Sequence, residues 1–184
     1  RHPIAQAISV IRWGWTPTYP AYLDNVEYIE SHLTSEQQEL AFSIAKNGGQ
    51  LERHVLDWCL ENRPLIGMTG SLPQVKLTTY EHLVTAPEVV CKALAEAMGI
   101  DSVTPLLEQI SRPSVSARFA AIERQKSMQS GNSSGLIETW MRHVSPEQQR
   151  SCDHILSVMN VGIYNAYEAM PTFADDGSIP GLIR

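Results

Sequence analysis

No run in this chain reaches the roughly 18 consecutive apolar residues of a membrane-spanning helix, and no segment has the pattern of a signal peptide. The expectation is a soluble, cytoplasmic domain with no membrane span. Cysteine is scarce: Cys59, Cys91 and Cys152 are three, odd in number and far apart. That usage predicts reduced thiols and argues against a disulfide frame or a zinc site. Basic residues are outnumbered, 14 Lys and Arg against 20 Asp and Glu, for a net charge of −6. A broad cationic surface for nucleic acid is thereby excluded, whereas one small anion in a local cationic pocket is not. The six histidines show no metal-ligand spacing, and no nucleophile-elbow pattern supports Ser/His/Asp chemistry. His54 and His154 fall inside helical patterns and read as solvated or hydrogen-bonded side chains, not as catalysts. Glu52 and Asp57 stand too far apart in register to act together, and Asp175-Asp176 is a charge pair in the tail.

What is present begins at the first residue. The 184 residues suit one domain, 1–184, with a real core, no internal repeat and an irregular tail over about 171–184. The chain does not begin with Met and opens inside a patterned segment, which reads as a fragment or a processed chain. Pro3 has the fixed φ of a first helical residue, and Ile4, Ile8 and Ile11 follow at the spacing of a buried stripe. Ala5, Ser9 and Arg12 lie on another side, and Ala5 is small enough to admit a ligand. A helix N-terminus with free N–H groups, the Arg1 guanidinium and the Ser9 hydroxyl together suit a phosphate.

Further on, Trp13 to Pro20 is an aromatic, Pro-rich loop that either lines an apolar pocket or packs as a connector. Residues 23–33 read as a weak helix. Thr34 and Gln37 form a capping-box pattern for a helix that Gly48-Gly49 stops. The next helix carries Leu51, Val55, Trp58 and Cys59 on one side and is predicted to end near Asn62, because Pro64 disfavours helix at Arg63. Gly67 to Pro73 is rich in turn residues. Val75 to Tyr80 alternates and is β-branched, the best strand candidate. Thr85 is read as the cap of a helix with core residues Val90, Ala93, Leu94, Ala97 and Met98, closed by Gly99. A short helix over about 104–110 precedes a basic helical segment, 115–126, with Arg118, Arg124 and Lys126. Ser127 to Gly135 reads as a mobile loop. Ser145 and Gln148 cap a last helix with Ile155, Val158 and Met159 inside and Gly162 at its end.

Four separated segments resemble those of the sulfotransferases that use 3′-phosphoadenosine 5′-phosphosulfate. Arg1-x-Pro3 with Ser9 resembles their 3′-phosphate motif, in which Arg and Ser are eight residues apart. Thr79-Tyr80-Glu81-His82-Leu83 is similar to a strand-ending Tyr-Glu-Asp-Leu segment whose Tyr lies near the nucleotide; His82 stands in place of the Asp. Ser111-Arg112-Pro113-Ser114 is similar to a loop that reaches the adenine. Ser133-Ser134-Gly135 through Trp140 resembles the Arg-Lys-Gly-x-x-Gly-Asp-Trp signature, with Ser133 and Ser134 at its Arg and Lys positions. Gly162-Ile163-Tyr164 resembles the closing segment.

The resemblance covers residues 1 to about 165. It implies an α/β fold of the P-loop type around a parallel sheet, of which this chain is the C-terminal portion, mostly helical with one or two strands. It also implies a transferase that moves a sulfuryl group from that nucleotide, without metal, to a small-molecule hydroxyl or amine acceptor. Arg1 and Ser9 would hold the 3′-phosphate, Tyr80 and Ser114 would border the base, and Ser133, Ser134 and Gly135 would close over it. Arg112, Arg118 or Lys126 would supply the charge that Ser133 and Ser134 lack. In the family the Gly-rich 5′-phosphosulfate loop and the base lie upstream, and Gly48-Gly49 has no following Lys-Ser/Thr to replace that loop. The expectation is therefore a chain that does not catalyse alone and that leaves apolar helix faces uncovered. The alternative reading is a non-catalytic helical interaction module without nucleotide. A third, weaker reading is a nucleotide-kinase-like relative.

Overall fold

The computed structural model describes residues 1–69, 71–72, 75–110, 133–172 and 182–183. The chain is mostly helical, and its architecture follows from one helix, α5 (Gln50–Thr69). Leu51, Val55, Leu56, Trp58, Cys59 and Leu60 are all buried, so its first three turns are apolar around much of the circumference. A helix of that kind is stable only at the centre of other helices. Full burial of a Leu such as Leu56 or Leu60 is worth about 2 kcal/mol. Packed on it are α1 (Pro3–Arg12), α2 (Tyr19–Leu23), α4 (Ser35–Asn47) and α10 (Pro146–Val158); α3 (Val26–His32) lies against α2.

Helix α5 does not end near Asn62 but runs through Pro64 to Thr69. Pro64 has no N–H for the carbonyl of Leu60, four residues earlier, and such a loss ordinarily breaks a helix. Here the Tyr28 hydroxyl donates to that carbonyl instead. Burial raises the Tyr28 phenol to about 12, so it stays a donor at neutral pH.

Both capping boxes are present, Thr34 with Gln37 and Ser145 with Gln148. Gln37 is buried, and its amide reaches the Val158 carbonyl at 3.0 Å, joining the start of α4 to the end of α10. Gly48 closes α4 because nothing larger fits: a Cβ there would stand 2.7 Å from the Ile44 carbonyl oxygen. Helix α10 is closed by Asn160 rather than Gly162. Asn160 takes φ 52°, its N–H bonds the Ser157 carbonyl, and the Val161 N–H bonds that of Leu156. That pair of bonds is a Schellman closure, for which Asn is the usual substitute for Gly.

The helix expected over 23–33 is α3, with the Asn25 side chain capping Tyr28, while α2 takes in Tyr19 and Pro20 of the expected loop. The expected strand shrinks to β1 (Leu77–Thr78), which pairs antiparallel with β2 (Leu182–Ile183), with Leu77 opposite Ile183. No parallel pairing occurs among the described residues. Tyr80 does not end a strand; it opens α6 (Tyr80–Thr85), with Thr79 as N-cap. Thr85 does not cap the next helix, α7 (Pro87–Met98). Its hydroxyl bonds back to the Glu81 carbonyl, and Ala86 precedes α7 with no side-chain cap. Within α7, Val90, Cys91, Ala93 and Ala95 are buried, whereas Ala97 and Met98 are exposed. Gly99 ends α7 in the left-handed region, as expected, and α8 spans Thr104–Ile110. Residues 133–135 are not loop: Ser133–Glu138 forms α9, continued by a 3₁₀ helix, Thr139–His143. The remainder of the expected mobile loop, the basic segment 115–126 and Asp175-Asp176 lie outside the described residues. No helix among the described residues is long and apolar enough to cross a membrane.

Candidate functional site

The start of α1, the start of α6, the 3₁₀ helix and the segment after α10 meet in one cluster, which touches α5 at Trp58. Arg1 places its guanidinium over the Tyr80 ring, 5.2 Å from the centroid. One residue further along each of these two segments, the backbone N–H of His2 donates to Glu81 Oε1 at 2.8 Å. The other carboxylate oxygen of Glu81 accepts from the Tyr164 hydroxyl at 2.7 Å. Glu81 is 1% exposed, so these donors replace the water it has lost. Burial, with Glu81 alongside, pushes the Tyr164 phenol far above its ordinary value and keeps it a donor.

The His2 imidazole fixes the geometry further. Nδ1 accepts the Ile4 N–H at 3.2 Å, which caps α1, so this nitrogen carries no proton. Nε2 is then the N–H and donates to the Asn165 carbonyl at 3.0 Å. The ring stacks on Trp140, centroids 4.3 Å apart, and meets Tyr164 edge-on at 5.0 Å. Burial lowers its pKa to about 4, against the smaller opposing pulls of the Asn165 carbonyl and Glu81. The capping also corrects one expectation. The N-terminus of α1 is not an open row of donors: Pro3 has none, Ile4 gives its own to His2, and Pro3, Ile4 and Ala5 are buried.

Each side of the cluster is held by local structure. The Thr79 hydroxyl accepts from the His82 N–H at 3.4 Å and lies 2.8 Å from His82 Nδ1, which rigidifies the turn that presents Tyr80 and Glu81. Burial lowers the His82 pKa, with Glu81 opposing. Tyr164 and Asn165 are held because the next residue, Ala166, is pinned to α10 at both polar atoms. Its N–H donates to Asp153 at 3.0 Å, and its carbonyl accepts from Gln149 at 2.7 Å. Trp140 is buried, and its indole N–H has no partner among the described residues.

Of the residues expected at the site, Arg1 and Tyr80 are brought together. Ser9 is partly buried on α1, roughly 9 Å along the axis from Pro3 at 1.5 Å per residue. Gly135 lies within α9, and its carbonyl accepts from Thr139 at 2.6 Å. Ser133 and Ser134 open the same helix; their side chains, like Ser114 and Arg112 entirely, lie outside the described residues. His2, Glu81 and Tyr164 were not expected as partners. The signal available was only that each stands in, or beside, a motif residue: His2 between Arg1 and Pro3, Glu81 after Tyr80.

Away from the cluster, Glu52 and Asp57 act separately, as their spacing implies. Glu52 accepts from the Gly49 N–H and from Ser151, and Asp57 accepts from Thr18. His154 is exposed, but His54 is buried with Nε2 unpartnered among the described residues, neither solvated nor fully bonded. Burial lowers its pKa, with Asp57 opposing. Trp13 and Trp15 of the aromatic loop are 50% and 65% exposed, so the loop is not a packed connector at those positions. A cleft of about 360 Å³ along the end of α10 shares Tyr164 and Asn165 with the cluster, but among the described residues its only charged lining residue is Asp153, which does not suit an anion. Among the described residues no group of three or more His, Cys, Asp or Glu is placed to hold a metal ion. Comparison of the chain with protein families, with curated proteins and with solved structures gives no significant match.

Proposed function

We propose that this chain forms the 3′-phosphate and adenine side of a sulfotransferase, which moves a sulfuryl group from 3′-phosphoadenosine 5′-phosphosulfate to an acceptor hydroxyl or amine. The observation that supports this reading is the convergence of the family-like segments. Arg1 meets Tyr80, the residue after Arg1 stacks on Trp140, and the same residue meets Tyr164, each contact joining segments far apart in sequence. Stacking on Tyr80 uses the face of the Arg1 guanidinium, whereas phosphate recognition uses its in-plane N–H donors, so both contacts are compatible. Catalysis in the complete enzyme rests on in-line positioning and on stabilising charge at the bridging oxygen, by analogy with phosphoryl transfer. The residues in this chain anchor the far end of the nucleotide.

Calorimetry on the chain in its full coding context tests this, with adenosine 3′,5′-bisphosphate and adenosine 5′-monophosphate as ligands. The bisphosphate is expected to bind more tightly, and Arg1→Ala and Ser9→Ala each to weaken it about tenfold or more while sparing the monophosphate. Equal binding of the two nucleotides, or none, refutes the proposal. The exposure of Trp13 and Trp15 favours a second reading, a helical interaction module, for which no nucleotide binding is expected.

A further inference from the structure

We infer that Glu81 is a positioning residue for the proposed 3′-phosphate site: it fixes the Arg1–His2 backbone against the start of α6, and Tyr164 holds Glu81 in turn. The inference rests on the proposed function and adds to it a determinant that does not touch the nucleotide. Two adjacent contacts join the same two dipeptides. Arg1 lies over Tyr80, and the His2 N–H bonds Glu81. Asn165, Trp140 and Tyr164 hold the His2 ring, and the bond to Glu81 adds a hold on the backbone beside Arg1.

The support behind Glu81 comes from distant sequence. Tyr164, 83 residues further on, donates to its second oxygen, and Tyr164 is itself wedged edge-on against His2 and against Trp58 at 5.8 Å. Thr79 caps the helix on which Glu81 stands, and the Thr85 hydroxyl bonds the Glu81 carbonyl at 2.8 Å, so the side chain projects from a fixed turn. The charge of Glu81 cannot be what an anion site wants. A buried carboxylate close to a phosphate repels it, so a favourable contribution must come from the hydrogen bonds it makes and the geometry they impose. This separates position from charge. In Glu81→Gln the side-chain oxygen still accepts from His2, and the amide donates to the Tyr164 oxygen, so both links survive without the charge. In Glu81→Ala both are lost. Tyr164→Phe removes one oxygen and keeps the ring packing.

The quantity to measure is the ratio of affinities for adenosine 3′,5′-bisphosphate and adenosine 5′-monophosphate, by calorimetry on the chain in its full coding context. Glu81→Ala is expected to lower that ratio roughly tenfold, Tyr164→Phe to lower it severalfold, and Glu81→Gln to keep or raise it. Because Glu81→Ala opens a buried site and risks unfolding, Tyr164→Phe carries the test if that variant is not folded. A purely structural role would weaken both nucleotides together and leave the ratio unchanged, which overturns the inference. So does a Glu81→Gln variant that loses as much as Glu81→Ala. A wild-type chain with no preference for the 3′-phosphate overturns the proposed function itself, whereas a wild-type preference untouched by Glu81→Ala and Tyr164→Phe overturns only the positioning role.

Discussion

Acid should destabilise this protein through His2 in particular, and the size of the effect follows from the ring's surroundings. The native structure needs His2 neutral. Nδ1 is an acceptor for the Ile4 N–H, Nε2 donates to Asn165, and the ring is stacked on Trp140 with no exposure to solvent. Protonation would turn Nδ1 into a donor facing another donor and would leave a cation in a desolvated site. The native pKa is accordingly about 4, against an ordinary 6.5. Between those values the unfolded chain binds more protons than the folded one, so stability rises with pH. It is fully present above about pH 6.5 and is lost as pH falls toward 4. At about 1.4 kcal/mol per pH unit, the loss between pH 7 and pH 4 is about 3 kcal/mol. That is a large share of a typical domain stability of about 5–15 kcal/mol. Urea unfolding of the wild type and of His2→Asn, which retains a capping oxygen, isolates the contribution because other titrations, including those of His54 and His82, are shared. The variant should be less stable at pH 7, and the gap should narrow by about 3 kcal/mol by about pH 4. Parallel loss of stability in the two proteins across that range would refute the assignment of the ring nitrogens.

Two further outcomes concern the fold. Tyr28→Phe leaves the Leu60 carbonyl without the donor that Pro64 cannot provide and should cost about 1–2 kcal/mol; in a Pro64→Ala background, where the backbone regains the missing N–H, most of that cost should vanish, and an equal cost in both backgrounds would exclude the mechanism. Gly48→Ala should destabilise by about 1–3 kcal/mol in the same urea assay, since its Cβ would meet the Ile44 carbonyl at 2.7 Å; a neutral substitution would show that α4 ends by other means.

Features decided within one turn of chain were legible in advance, and features decided by distant partners were not. Both capping boxes need only residues three apart, and both are present. Pro64 is the contrary case: its local effect is to stop a helix, but Tyr28, from a different helix, supplies the missing bond. The segment Val75 to Tyr80 has strand composition, yet its last two residues serve α6, since Thr79 is more useful as a cap than as a ladder residue. At the end of α10, two residues with positive φ compete, and Asn160 comes first.

The candidate site divides along the same line. Arg1 and Tyr80 carry no common pattern, and only likeness to a family placed them together; their contact is a packing outcome of α1 and α6. Glu81 was invisible for a different reason. A carboxylate in Thr79-Tyr80-Glu81-His82-Leu83 reads as a surface residue until its burial is known, because Glu is seldom buried without partners. At 1% exposure the Glu81 carboxylate needs protein donors in place of water. Those donors are the His2 backbone and the Tyr164 hydroxyl, which belong to the opening and closing segments of the family-like stretch. A buried carboxylate at that junction makes the position of Arg1 depend on Tyr164, at the other end of that stretch. Under the proposed function, nucleotide selectivity should therefore respond to Tyr164→Phe, at a position where no ligand contact is proposed.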